Sequence, residues 1–363
     1  MKNLLILILV IFLVCFLIVF WIWHWAWQEI YLPKSSQSSQ EKLFSFKKGE
    51  NLFQLAENLR KGDLIKNKIF FEIYVISKGK IRNLQAGEYL LSPSLTIPEI
   101  TEKFVSGDTI KEKITIVEGW NLRDTGFYFE NKGMFQAEEL WELVGFPAID
   151  YSKTTDLPEP KDFSQEYDFL KDKPKNAGLE GYLFPDTYFF NNNTFSTTVE
   201  NASSKKLEMI VRKMLDNFGK KLTPDLRKEI KGQKKTIFEI ITMASLLEKE
   251  VRTIEDKKLV SGILWKRLKN KMPLQVDATI IYITGRKTTD ILISELQIDS
   301  PYNTYKYQGL PLGPISNPGL DSISAAVYSE ISDYWFYLST PEGKTIFSKT
   351  LAEHNIAKAK YLK

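Results

Sequence analysis

Between Leu4 and Trp23 the chain reads LLILILVIFLVCFLIVFWIW, 20 apolar residues in a row without a charge. A helix needs about 20 residues to cross the hydrocarbon core of a bilayer. Trp21, Trp23, Trp25 and Trp27 follow at the far end, where an interfacial aromatic belt belongs. A cleaved signal peptide has a shorter apolar stretch and a small-x-small site after it, and this run has neither. Residues 1–30 are therefore predicted to form a transmembrane anchor, and 31–42, with LPKSSQSSQ, a polar linker. Cys15 follows Val14 in mid-run and reads as a membrane-facing hydrophobe. Lys2 lies on the short side and Lys34, Lys42, Lys47 and Lys48 on the other, so counting positive charges leaves the orientation open.

Behind the anchor there is room for two modest domains in a chain of 363 residues. Hydrophobic residues make up 43% and charged residues 26%, an ordinary globular balance. The 49 basic and 45 acidic residues leave a net charge of +4, too balanced to argue for a nucleic-acid partner. Cys15 is the single cysteine, so an intrachain disulfide is excluded. With only His24 and His354 as further strong ligands, a thiolate zinc site is excluded too. Hydrolytic chemistry would have to rest on carboxylates, hydroxyls or lysines.

The pattern predicts an α+β fold. Residues 43–110 read as a small α/β subdomain. Within it, Leu52, Leu55, Ala56 and Leu59 mark one face of a helix. IFFEIYVIS fits a helix or a strand, and AGEYLL fits a strand. TIPEITEKFVSG fits a helix with Pro in its first turn and Gly107 at its end. Residues 111–363 read as a larger mixed domain. EKITIVEGW alternates like a strand, and FYFENKGMFQAEELWEL contains a helix. Residues 147–175 read as a long surface loop, and GYLFPDTYFF as strand-like with a break at Pro185. A long amphipathic helix is predicted to open at Ser196 or Thr197, and DYWFYLSTPEGKTIFSKT to form a hairpin turning at 341–343.

ASLLEKEV, residues 244–251, places two glutamates in an otherwise apolar helical run. Residues two apart on a helix point about 200° apart, so Glu248 and Glu250 do not form a carboxylate pair on one face. Glu248 has Arg252 at i+4, a pairing that favours the charged form. Glu250 has Leu246 and Leu247 one turn back and Ile254 one turn ahead. An apolar setting disfavours the carboxylate and is predicted to raise its pKa, which suits a general acid. A solvated helix end carrying Lys249 and Arg252 is the bland alternative.

Seven segments then stand in a telling order: AGEYLL, IVEGW, LEGYLFPDTY, MASLLEKEV, MPLQVDATIIY, SPYNTYKYQGLPLGPISNPG and AEHN. Together they resemble the endolytic murein transglycosylase family (MltG, or YceG-like) over most of residues 43–363. The resemblance implies a single-pass protein of the cytoplasmic membrane with its catalytic domain outside. It implies cleavage within nascent peptidoglycan strands between N-acetylmuramic acid and N-acetylglucosamine, leaving a 1,6-anhydro end and terminating elongation. It makes 43–110 a LysM-like subdomain and Glu250 the catalytic acid–base; the helix spacing, apart from the resemblance, puts Glu248 and Arg252 in support. No cofactor or metal is implied. Glycan strands and the membrane are the expected partners, with peptidoglycan synthases as candidates. Gln275 and Asp277 are candidates to bind N-acetyl or hydroxyl groups, against a plain polar turn after Pro273. Tyr302, Asn303 and Thr304 are candidates to line the cleft, against an Asx-type turn beside a packed tyrosine. Glu180, Tyr182 and Asp186 lean structural, and His354 reads equally as packed or ligand-binding. The sequence departs from the family at Val251, where a hydroxyl residue is usual, and at Leu312, and VYSEISDYW lacks a usual proline. A non-catalytic peptidoglycan-binding or cell-wall-synthesis scaffold, and a hydrolase with Asp277 as second carboxylate, remain as rivals.

Overall fold

The computed structural model describes residues 2–35, 40–175, 177–191, 202–286 and 291–362. The chain divides into two compact units. One runs to Ile114 and takes in Phe189 to Asn191 among the described residues; the other holds the rest.

The first unit opens with α1 (Lys2–Tyr31). Its stretch Leu9–Tyr31 is long and apolar enough to cross a membrane, and the side chains from Leu9 to Trp23 are exposed. The helix outlasts the predicted anchor by a residue, and its last turns join the domain behind it. Ala26 and Ile30 pack on that domain's core, and the Trp25 and Phe70 rings meet edge-on at 4.9 Å. The start of the predicted linker is fastened as well. Ser35 donates its N–H to the Pro93 carbonyl at 3.0 Å, and Lys34 pairs with Asp63. Residues 36–39 of that linker lie outside the described residues.

A strand–helix–helix–strand unit follows: β1 (Lys42–Phe46), α2 (Leu52–Lys61), α3 (Lys68–Ser77) and β2 (Gly87–Leu91), then α4 (Ile97–Ser106). β1 and β2 pair antiparallel with Phe44 opposite Tyr89. Alternation sends Phe44, Phe46, Tyr89 and Leu91 into a core with Leu55, Leu59, Phe71 and Phe104. The predicted stripe of α2 is buried, and Asn51 and Gln54 form a capping box at its start. The ambiguous IFFEIYVIS is a helix: the Asn67 side chain caps it, and Phe70, Phe71 and Val75 fall on its buried face. β3 (Lys111–Thr115) pairs with β4 (Thr187–Asn191).

The second unit is mostly helical. α5 (Leu122–Asn131) and α6 (Ala137–Val144) fill the segment predicted to contain one helix. α7 (Ala202–Lys221) is the long amphipathic helix, and its expected opening residues lie outside the described residues. Then come α8 (Pro224–Gly232), α9 (Ile237–Glu250), α10 (Ile254–Lys269), α11 (Asp277–Thr284) and α12 (Leu320–Val327). β5 (Phe336–Ser339) and β6 (Thr345–Ser348) form the predicted hairpin, and α13 (Leu351–Tyr361) closes the chain against both strands. α9 is the axis. Its residues Ile240 to Leu247 are all buried, and α8, α10, α11 and α12 pack on it. A Cβ on Gly262 would lie 1.8 Å from the Glu330 carbonyl oxygen, so only glycine lets the segment after α12 rest on α10.

Two sequence expectations need correction. Residues 147–175 are not simply a surface loop, because Phe163, Phe169 and Leu170 are buried in it. The Phe169 ring lies 4.8 Å from that of Phe218, so aromatic side chains draw the loop into the core. GYLFPDTYFF is a strand only in its second half. Gly181 takes φ +87° and is crowded by Pro314 and Ile241, which forces a turn where alternation suggested a strand. Tyr182, Leu183 and Phe184 are nonetheless buried.

Candidate active site

α9 ends at Glu250 for local reasons. Val251 is extended, at φ −142° and ψ 155°, and Thr253 caps α10, its side chain accepting the Asp256 N–H. Residues 251–253 are therefore a corner between two helices. This overturns one expectation. Arg252 lies beyond the end of α9 and does not pair with Glu248. Its guanidinium runs instead beside Gly343 in the hairpin turn. Glu248 accepts the Gly319 N–H at 3.0 Å and the Ser322 hydroxyl at 2.6 Å, and its ion pair is with Lys257 at 3.3 Å. Those side chains are 9% and 5% exposed, so Glu248 is a buried tie from α9 to α10 and α12.

Glu250 points elsewhere and keeps partial exposure. The Tyr337 hydroxyl donates to its Oε2 at 2.9 Å, and the Ser339 hydroxyl to its main-chain carbonyl at 3.1 Å. The Ala278 N–H, one of the free donors in the first turn of α11, also reaches the carboxylate. Burial is the main cause that pushes the Glu250 carboxyl up to about 7. The Asp277 charge pushes the same way, against the Tyr337 hydroxyl, the Ala278 N–H and the Arg267 charge.

The start of α11 is held by the segment SPYNTY. Gln275 sits at φ +54°, a left-handed position rare for a residue with a Cβ. The Thr304 carbonyl accepts the Gln275 N–H at 3.1 Å, and the Thr304 hydroxyl accepts the Val276 N–H at 3.0 Å. Gln275 and Asp277 are exposed, and Tyr305 donates its hydroxyl to Asp277.

Tyr302, Asn303 and Thr304 face the interior, at 7%, 1% and 1% exposure. The Asn303 amide donates to the Leu296 and Ile298 carbonyls, and its oxygen accepts the Tyr305 and Lys306 N–H groups, which is the Asx-type turn. The Tyr302 ring packs on Tyr282 at 5.1 Å. His354 stacks on Phe336 at 5.3 Å, and Asp186 accepts from Asn217.

Glu118, Asp172 and Glu180 are also raised by burial, Glu180 furthest. Burial pushes Glu180 up to about 8. It is 6% exposed and borders a cavity of about 90 Å³ with Tyr282, Tyr302 and Phe238. Its oxygens already accept the Leu122 N–H and the Tyr282 hydroxyl. Glu180 therefore caps α5 and ties it to α11, whereas Glu250 combines a neutral-range carboxyl with access to solvent.

Sequence reasoning missed Tyr337, Tyr305 and Arg267. Tyr305 stood within a quoted motif. Tyr337 lies 87 residues from Glu250, and Arg267 reads as one more base in a helix's last turn, so no local signal marked either.

Glu250, a partly exposed carboxyl at a helix end that accepts the Tyr337 hydroxyl, is the candidate for a one-carboxyl acid–base site on this α+β scaffold. The model of the YceG-like family matches residues 44–360. The endolytic murein transglycosylase of Bacillus subtilis is 33% identical over 315 residues, 86% of this chain and 83% of that protein. The protein of the same name from Streptococcus pneumoniae strain D39 is 30% identical over 342 residues, 89% of this chain, which spans 59% of that longer protein. A crystal structure of a yceG-like protein from Listeria monocytogenes matches with a TM-score of 0.55 at 31% identity, over 88% of this chain and 99% of that one. The chain belongs to the YceG-like family.

Proposed function

We propose that this chain is a membrane-anchored endolytic transglycosylase that cuts nascent peptidoglycan strands and so terminates their elongation. Family membership and relatives named endolytic murein transglycosylases support a lytic transglycosylase acting on peptidoglycan. The apolar helix α1 supports a membrane anchor, and a peptidoglycan substrate places the catalytic domain outside the cytoplasmic membrane. The strand–helix–helix–strand order behind it supports reading 43–110 as the LysM-like subdomain. The observation that carries the chemistry is Glu250, held by Tyr337 and Ala278 and titrating at about 7.

Near neutral pH a large fraction of Glu250 is the acid. It gives its proton to the glycosidic oxygen as the bond from C1 of N-acetylmuramic acid breaks. The 6-hydroxyl of the same sugar attacks C1, and its proton passes to the Glu250 carboxylate. One C–O bond breaks, one forms, the proton inventory is restored and no water is consumed. An intramolecular hydroxyl acts at a high effective concentration, so the second carboxylate of an ordinary glycosidase is not needed. Val251 brings no hydroxyl, but Tyr337 places one on Glu250. Exposed Gln275 and Asp277 bind the sugar's amide or hydroxyl groups, while Tyr302, Asn303 and Thr304 hold that segment from within.

Purified murein strands treated with the wild type should yield anhydro-ended fragments by mass spectrometry, and Glu250→Gln should yield none while remaining folded. Full activity of that variant would sink the assignment. Wild-type products one water heavier would make the chain a hydrolase, and binding without products would make it a scaffold.

A further inference from the structure

Arg267 is a buried guanidinium that no carboxylate neutralises. It is 5% exposed in the last turn of α10. Among the described residues it forms no ion pair; its donors go to main-chain carbonyls. Nε and Nη2 reach the Trp335 oxygen at 3.0 and 2.7 Å, and Nη1 reaches the Leu274 oxygen at 2.7 Å. Its carbon lies 5.3 Å from the Phe336 ring centre. Buried charges are ordinarily paired with opposite charge, so a cation left with dipoles alone asks for a reason.

Both carbonyls belong to segments that act on Glu250, one through the Tyr337 hydroxyl bond and the other through the first turn of α11. Trp335 stands two residues before Tyr337, and Leu274 four before Ala278. One side chain therefore spans the two arms of the site. We propose that Arg267 is a positioning residue for the acid–base step: it ties the two segments that act on Glu250 and supplies the fixed positive charge against which the Glu250 carboxylate forms. This rests on the catalytic reading of Glu250 above.

In that reaction Glu250 becomes an anion midway and then recovers its proton. The groups acting on it are Tyr337 from β5, Asp277 and the Ala278 N–H from α11, Tyr305 beside Asp277, and Arg267 from α10. Burial and Asp277 oppose the anion. Among those groups Arg267 alone carries a full positive charge. A charge already fixed in place stabilises a developing anion without reorganisation.

The test is the pH profile of kcat/KM, which reports the free enzyme's acid, with folding checked by thermal melts. In Arg267→Met the alkaline limb should move up by roughly half a pH unit, no more than Asp277→Asn moves it down, because the Arg267 charge is the weaker of the two influences on Glu250. In Arg267→Lys the charge stays but the planar fork is lost. Its limb should remain where the wild type's is, while kcat falls roughly tenfold and KM changes less than about twofold, as expected when only transition-state stabilisation is lost. A folded Met variant with an unmoved limb overturns the proposal. If the Met variant does not fold, the Lys variant decides: a limb displaced upward, or a wild-type kcat, overturns it. An active Glu250→Gln variant would instead remove the reading on which the proposal rests. An inactive one beside an unmoved limb would remove this inference alone.

Discussion

Replacing Glu250 by Gln should change how stability depends on pH, apart from any effect on catalysis. The Glu250 carboxyl is raised from 4.5 to about 7, mainly by burial. Between those values the folded chain keeps a proton that the unfolded chain has released. Stability from this group is therefore present below pH 4.5 and lost as pH rises through about 7. At about 1.36 kcal/mol per pH unit the whole loss is about 3.4 kcal/mol, of which about 2.5 kcal/mol falls between pH 5 and pH 9. A Gln oxygen can still accept from the Tyr337 hydroxyl and the Ala278 N–H but cannot ionise. Wild type and variant should thus be close at pH 5, with the variant more stable by about 2–3 kcal/mol at pH 9. Urea unfolding of the full chain in detergent at both pH values gives this double difference. Glu180, also raised by burial, titrates in both proteins and cancels. A gap between the two proteins that is the same at pH 5 and pH 9 would refute the raised carboxyl.

Two further substitutions separate structure from chemistry. Glu248→Ala would leave Lys257 buried without its carboxylate and strip the bonds to Gly319 and Ser322; it should cost about 3–5 kcal/mol, whereas Arg252→Ala, outside that network, should stay within about 0.5 kcal/mol in the same unfolding assay. Asp277→Asn removes the like charge facing Glu250 while leaving an oxygen for Tyr305, so the alkaline limb of kcat/KM should move down by roughly half a pH unit.

The long apolar helix α1, the hairpin and the buried run of α9 were legible because each rests on local periodicity or turn chemistry. The wheel that separated Glu248 from Glu250 was only partly sound. It extends the helix four residues too far, to Ile254, which produces the Glu248–Arg252 pair and puts Ile254 beside Glu250. The stop was readable: Thr253 followed by Asp256 is a capping pattern, and the structure uses it. What no local pattern carries is the rest of the site. Glu250 meets Tyr337 across 87 residues, and Arg267 meets Trp335 across 68, so those contacts arise from helix and hairpin packing.

That corner also explains why the second glutamate is the one placed to serve as the proposed acid. A carboxyl within Ile240–Leu247 would be shut inside the helix cluster, and one beyond Thr253 would stand among the solvated first-turn acids of α10, Glu255 and Asp256. The last residue of α9 keeps a rigid backbone and two leucines behind it, yet its carboxyl emerges beside the free N–H groups of α11. The two helix ends oppose each other there. The C-terminus of α9 disfavours the anion and the N-terminus of α11 favours it. Tyr337 and Arg267 weigh on the second side, burial and Asp277 on the first, and the result is about 7. Glu180, more fully enclosed, ends at about 8 with its oxygens committed. A carboxyl left at its ordinary 4.5 would be almost wholly ionised at neutral pH and a poor proton donor. One held much higher would resist becoming the carboxylate that must take the 6-hydroxyl's proton. In the proposed mechanism the value between them lets one group do both.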